Sequence, residues 1–148
     1  MSLLRISEAA ALGLHTMALL ARRQPRRLAN TEIAAVLGGS VNTLSKVLQR
    51  LGKEGLIASV RGPGGGFELA RPAREITMLE VFEAIDGRID EAVCVLGHPF
   101  CRSSECILGG MIQQIQELVA GTFAATTVDK LASSMKLGDA IYGDPEDQ

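Results

Sequence analysis

The run Arg61-Gly62-Pro63-Gly64-Gly65-Gly66 constrains this chain more than any other stretch of it. Proline lacks a backbone donor and glycine loses the most conformational freedom on ordering, so such a run belongs neither inside a helix nor inside a sheet. It is bounded by two short apolar segments, Leu56 to Val60 and Phe67 to Leu69, and therefore reads as the tip of a β-hairpin. A tip stripped of side chains can approach another molecule's backbone closely.

Three helical segments precede the hairpin. From about Ile6 to Ala21 the residues Ala10, Leu14, Met17, Ala18 and Ala21 recur at helical spacing, and Arg22-Arg23-Gln24-Pro25 stops the pattern. Asn30 or Thr31 can cap a short second helix, Glu32 to Leu37, ended by Gly38-Gly39. Ser40 can cap a third, in which Leu44, Val47, Leu48 and Leu51 fall at i, i+3, i+4 and i+7. Two short helices joined by a small-residue turn form a helix-turn-helix, and the hairpin that follows is its wing. The apolar stripe of the third helix leaves Asn42, Thr43, Ser45, Lys46, Gln49 and Arg50 on other faces. Those near its N-terminus are best placed for a major groove, and Arg50 is a further candidate DNA contact. Gly62 and Gly64 let the wing tip approach a sugar-phosphate backbone, and Arg61 at its base suits a minor groove, where negative potential is focused.

Charge supports this division. The net charge is only −2, but residues 1–74 carry 11 Lys+Arg against 4 Asp+Glu, and residues 75–148 carry 4 against 13. The basic first half can neutralise phosphates, while the acidic second half stays off the polyanion. Arg22, Arg23, Arg26 and Arg27 form a basic cluster that is either solvated or set against flanking phosphates. Tryptophan is absent and aromatics make up 3%, which argues against stacking platforms for single strands and leaves duplex recognition. The glycine run is no phosphate loop, because no Lys-Ser/Thr follows it and no helix starts there.

Past the wing, Thr77 and Glu80 have capping-box spacing and open a fourth helix through Val81, Phe82 and Ile85 to Gly87. A cysteine-bearing loop, about residues 88–110, follows. From about Gly110 a long helix carries Met111, Ile115, Leu118 and Val119 on one stripe, and a short helix runs near Val128 to Met135. The tail, 141–148, is expected to be disordered. The organisation expected is thus a DNA-binding region, 1–75, and an effector and dimerisation region, 76–140. The fold class is mainly α with a small β-hairpin: a winged helix-turn-helix plus a long C-terminal dimerisation helix. That helix has too little of its own domain to cover its apolar face, which predicts a homodimer and suits the half-sites of a palindromic operator. No export signal and no run of 18 apolar residues is present, so a cytoplasmic protein with no membrane span is expected.

Cys94, Cys101 and Cys106 are an odd set of thiols, which in a reducing compartment serve as ligands or sensors more often than as bridges. Structural zinc favours tight Cys-x2-4-Cys pairs on both sides of a site, so it ranks below an iron-sulfur cluster and below free redox-active thiols. No Cys-His-acid constellation is evident, and an enzyme is not expected.

Arg5-Ile6-Ser7, Leu44 to Leu51, Gly55-Leu56-Ile57, Val60 to Gly66, Glu80 to Gly87 and the three cysteines together resemble the winged-helix regulator family that includes IscR, NsrR and CymR. The resemblance covers roughly residues 3–135. It implies a dimeric bacterial transcription regulator, often a repressor, that binds double-stranded DNA, and in many members an iron-sulfur cluster, [2Fe-2S] or [4Fe-4S], reporting on iron, redox state or nitric oxide. Aerobic purification can empty such a site. By position it assigns DNA contacts to Ser40, Asn42, Thr43, Ser45, Lys46 and Arg61. It assigns metal ligation to Cys94, Cys101 and Cys106, here spaced x6 and x4 where well-known cluster-binding members have x5 and x5. The ligand position three residues after the last cysteine is Gly109 here, and the carboxylate position of NsrR is Ala11; neither side chain can ligate. The resemblance then points to His15 of the partner subunit as fourth ligand, one turn beyond Ala11, with Glu8 and His98 as alternatives. The cluster-free alternative within the same family is a winged-helix regulator controlled by thiol oxidation or a protein partner, as in CymR.

Overall fold

The computed structural model describes residues 6–89 and 105–136. In chain order the elements are α1 (Glu8–Arg23), α2 (Asn30–Leu37), α3 (Val41–Lys53), β1 (Ile57–Val60), β2 (Gly66–Leu69), a 3-10 turn (Ala73–Glu75), α4 (Met78–Asp86), α5 (Ile107–Ala125) and α6 (Val128–Ser134). Cys94, His98, Cys101 and the tail at 141–148 lie outside the described residues. The architecture is mainly helical with one two-stranded antiparallel hairpin, as the sequence implies. No helix among the described residues is long and apolar enough to cross a membrane.

Local chemistry sets the helix ends. Ser7 caps α1, its Oγ accepting from the Ala10 N–H at 3.0 Å, so the helix starts two residues after Ile6. It runs on to Arg23, because only Gln24, the residue before Pro25, is forced into extended backbone. Asn30 and Thr31 do not cap α2. Ala29 holds that position, and its N–H is satisfied by the Glu32 carboxylate at 2.7 Å, which places Asn30 inside the helix and frees its amide for other work. Ser40 caps α3 through the Thr43 N–H at 3.4 Å, and Thr77 and Glu80 close a reciprocal box at the start of α4. The long helix α5 begins at Ile107 rather than near Gly110, because Cys106 Sγ acts as its cap, accepting from the Gly109 N–H at 3.4 Å.

The core joins both halves of the chain. Leu14, Met17 and Leu20 of α1 share one buried cluster with Leu44, Val47, Leu48 and Leu51 of α3, Val81 and Ile85 of α4, Phe123 of α5 and Val128 of α6. Phe82 and Phe123 meet edge to face at 5.6 Å. A short antiparallel clasp returns the C-terminal segment to the domain: the Met78 N–H donates to Thr126 O and the Val128 N–H to Ile76 O, both at 2.8 Å.

The wing is anchored at its root. β1 and β2 pair Ile57 with Leu69 through to Val60 with Gly66. Leu28, in the α1–α2 connection, exchanges two backbone bonds with Phe67, at 3.1 and 2.8 Å. Gly66 makes this approach possible: its φ is +137°, and a Cβ there would stand 2.8 Å from the Leu28 backbone.

The apolar stripe of α5 divides. Val119 packs on the core and Phe123 is buried, whereas Ile107 (89% exposed), Leu108 (55%), Met111 (40%) and Leu118 (70%) stay in water.

Candidate nucleic-acid interface and sensor residues

Ser40, Asn42, Ser45 and Lys46 are exposed on α3, and Thr43 is half-buried beside its cap. Their order follows from the buried stripe: with Leu44, Val47, Leu48 and Leu51 turned inward, the first two turns must present these polar side chains outward. Arg61, Gly62, Pro63 and Gly64 are exposed at the wing tip, where the Gly65 N–H closes a turn on Gly62 O at 2.9 Å. Between reader helix and wing lies a groove of about 260 Å³, lined by Ser45, Leu48, Gln49, Gly52, Ile57, Ser59 and Phe67. Its floor is apolar and its rim carries Ser45, Gln49 and Ser59.

Internal partners reduce the basic surplus of this half. Arg26 pairs with Glu32 at 2.6 Å, Arg27 with Glu68 at 2.8 Å and Arg71 with Glu80 at 2.6 Å. Arg22 donates to Met135 O, holding the end of α6 to α1. Lys46 and Arg61 meet no carboxylate among the described residues, so their charge faces outward. Arg50 is placed differently from its neighbours: its Nη1 donates to Ile85 O at 2.8 Å, bracing α3 against the end of α4. Burial raises the Glu80 carboxyl, but the Thr77 N–H and Arg71 outweigh it and hold the group below its ordinary range.

Of the candidate ligands, Cys106 is half-buried at the start of α5, its sulfur oriented by the Gly109 N–H. Glu8 and His15 are exposed on α1, on the face that also holds Ala11. His15 Nδ1 lies 2.6 Å from Ala11 O. A carbonyl can only accept, so Nδ1 carries a proton, and Nε2 is the nitrogen through which this ring could bind a metal. A thiol and a neutral imidazole are suitable donors for iron or another soft metal. Among the described residues no three His, Cys, Asp or Glu side chains converge, and two of the three cysteines lie outside them.

The sequence pattern of iron-dependent transcriptional regulators of the Rrf2 type matches residues 6–134, which takes in every described element from α1 to α6. The chain belongs to the Rrf2 family. The HTH-type transcriptional regulator IscR of Photorhabdus laumondii is 30% identical over 109 residues, which are 73% of this chain and 66%, just under two thirds, of that protein. Among solved structures, CymR, the global cysteine regulator of B. subtilis, superposes with a TM-score of 0.78 at 26% identity, covering 90% of this chain and 99% of its own. The oxidised form of Staphylococcus aureus CymR gives 0.72 at 25%, with coverage of 90% and 99%. The named relatives are transcription regulators, not enzymes.

In this Rrf2 chain the structure gathers Ser40, Asn42, Thr43, Ser45 and Lys46 on one helix, with Arg61, Gly62 and Gly64 together on the wing. Two members of this region were not singled out by sequence. Ser59 reaches the groove because alternate residues of β1 share a face, a signal present in the strand pattern. Asn30 reads locally as a cap, yet its Nδ2 bonds Ser45 Oγ at 2.6 Å, a contact between helices that no local pattern encodes.

Proposed function

We propose that this Rrf2 chain acts as a homodimeric repressor that binds a palindromic double-stranded operator and whose affinity is set through its cysteines. The carrying observation is the side-by-side placement of an exposed, hydroxyl- and amide-rich N-terminal half of α3 and a glycine-tipped wing with an outward arginine. In this reading Asn42, Thr43 and Ser45 read base edges in the major groove, Ser40 and Lys46 hold phosphates, and Gly62 and Gly64 let the backbone approach as Arg61 enters the minor groove. Arg50, committed to Ile85 O, acts as a brace within the fold. The uncovered residues Ile107, Leu108, Met111 and Leu118 support dimerisation through α5, since a second copy of the same helix would remove them from water.

Cys94, Cys101 and Cys106, with His15 of the partner subunit, would hold a [2Fe-2S] or [4Fe-4S] cluster. When bound it would supply one-electron redox and nitric-oxide-reactive chemistry. What this chain's residues contribute is orientation: the Gly109 N–H aims the Cys106 sulfur, and Ala11 O fixes the His15 tautomer. The likeness to CymR, including an oxidised form, favours a second reading in which the same thiols respond to oxidation or a protein partner without a metal.

Both readings share the DNA face, and binding to selected duplexes followed by fluorescence anisotropy tests it. Lys46 at phosphates and Arg61 in the minor groove bring about four cationic charges to the duplex from two copies, so log affinity should fall with log salt at a slope of about −4, and Lys46→Ala should reduce the slope by about 2. A salt-independent affinity refutes the assignment. An absorption spectrum of anaerobically purified protein, with iron and acid-labile sulfide assays, separates the two sensing readings. A charge-transfer band with both elements establishes the cluster. Colourless, iron-free protein, also after reconstitution, refutes the cluster and moves the reading to thiol or partner control.

A further inference from the structure

The hydroxyl of Ser45 is almost fully committed inside the protein. Oγ donates its proton to Val41 O at 2.8 Å and accepts the Nδ2–H of Asn30 at 2.6 Å. A hydroxyl has one proton and two lone pairs, so what remains to face outward is a single lone pair. Val41 O also fixes the direction of the Asn30 amide: Nδ2 lies 3.5 Å from it, and the reversed amide would set two acceptor oxygens against each other. Among the described residues Asn30 Oδ1 is buried with no hydrogen-bond partner, the cost of holding the amide in this place. Ser45 itself is exposed and lines the groove between reader helix and wing.

The consequence rests on the reading of α3 as a major-groove helix. In that groove guanine offers O6 and N7 and thymine offers O4, all acceptors; phosphate oxygens are acceptors as well. Adenine offers the N6 amino group and cytosine the N4 amino group. An oxygen with a lone pair and no free proton can bond only to the last two. We infer that Ser45 is an acceptor-only reader that selects the amino group of an adenine or cytosine at one position of each half-site. Val41 O, which holds the proton, makes it so, and Asn30, on the neighbouring helix, is the positioning residue that takes one of the two lone pairs and leaves the other a single outward direction. Without Asn30, Oγ is still held by Val41 O but offers two lone pairs over a wider range of directions, so its selection of an amino group loses sharpness.

Binding-site selection from randomised duplexes, run with the wild-type chain, Ser45→Ala and Asn30→Ala, tests this. The position that loses preference in Ser45→Ala should carry adenine or cytosine in the wild type. Replacing that adenine by purine, or that cytosine by pyrimidin-2-one, deletes only the amino group. It should lower wild-type affinity by about 3- to 10-fold and leave Ser45→Ala unchanged. Asn30→Ala, which keeps the Val41 bond, should weaken the preference for adenine or cytosine there without reversing it, at an unchanged salt slope. Guanine or thymine at the Ser45-dependent position in the wild type overturns the inference, as does a base preference that survives Ser45→Ala intact. If Asn30→Ala does not fold, the base-analogue comparison between the wild type and Ser45→Ala still decides. Selection that yields no sequence preference with the wild type overturns the major-groove reading of α3, and this inference with it.

Discussion

Replacing Leu118 with alanine asks whether a second copy covers α5. In the single chain Leu118 is 70% exposed, so it has little buried surface to lose and the monomer fold should be nearly indifferent to the change. In a dimer closed over α5 that exposed portion leaves the water. Full burial of a leucine side chain is worth about 1.5–3 kcal/mol, so the 70% still available amounts to about 1–2 kcal/mol per copy. An isologous interface contains the residue twice, about 2–4 kcal/mol in all, and at about 1.4 kcal/mol per tenfold the dissociation constant should rise by about 30- to 1,000-fold. Sedimentation velocity over a dilution series reads this directly, and the melting temperature should depend on protein concentration in the wild type and lose that dependence in the variant. Phe123→Ala is the contrasting control: Phe123 is buried against Phe82, and its truncation should destabilise the fold of each chain by about 3–5 kcal/mol. A wild-type chain that sediments at 15.7 kDa throughout the series would refute the reasoning. So would a Leu118→Ala dissociation constant within about twofold of wild type, the range expected of an ordinary surface position.

The bond from Arg50 to Ile85 O comes from a charged donor, so Arg50→Met should lower the stability measured by urea unfolding by about 1–2 kcal/mol and leave the salt slope of DNA binding unchanged; a slope shallower by about 2 per dimer would make Arg50 a phosphate ligand instead. At Gly65 a Cβ would stand 2.3 Å from Val60 O and 2.7 Å from Gly62 O, both backbone atoms that cannot swing aside. Gly65→Ala should therefore open the wing tip and weaken operator binding by about tenfold with unchanged helical circular dichroism; unchanged affinity would remove the wing tip from the interface. Glu80 is held below the ordinary glutamate value of 4.5, so the unfolded chain binds its proton more tightly than the folded one. The stabilisation is complete above that value and is lost as pH falls through the lower folded one, and Glu80→Gln should flatten the acid side of the melting-temperature profile; an unaltered profile would show that the carboxylate contributes nothing.

Much of the fold was legible because its determinants are local. Ser40 and Thr77 lie three residues before the N–H groups they satisfy, and the stripe Leu44, Val47, Leu48, Leu51 repeats within one helix. The glycines of the wing tip, too, announce the turn within a single window of sequence. What escaped depends on residues far apart in the chain. Asn30 has the composition of a cap, but Glu32 satisfies the N–H at that end and the Asn30 amide goes to Ser45 instead. The second backbone pairing on the wing, from Leu28, and the clasp between Thr77 and Thr127 carry no signature in either segment alone. α5 starts three residues before the point its sequence suggests, because Gly109 and Gly110 look like loop and sulfur is an uncommon cap. The cysteine spacing names candidate ligands, yet whether they converge is a property of tertiary placement that spacing does not encode.

The end of α4 is where the proposed control through the cysteines would meet the fold around α3. Ile85 O accepts from Arg50 of α3, and the next residue, Asp86, accepts both the N–H and the hydroxyl of Ser7, which caps the helix that carries His15. Gly87, with φ +82°, then ends α4, and the cysteine-bearing stretch follows. α3 and the start of α1 are thus tied to two consecutive residues, Ile85 and Asp86, by bonds spanning 35 and 79 positions of sequence. The side chains beneath them, Val47, Ile85 and Leu14, belong to one close-packed core, which passes on a displacement rather than absorbing it. A ligand or oxidation event shifts an equilibrium only through contacts that differ between two states. Movement of the chain after Gly87 that displaced the α4 terminus would stretch the 2.8 Å bond to Arg50, and with it the orientation of α3, so the structure contains a contact through which such a difference can reach the DNA face.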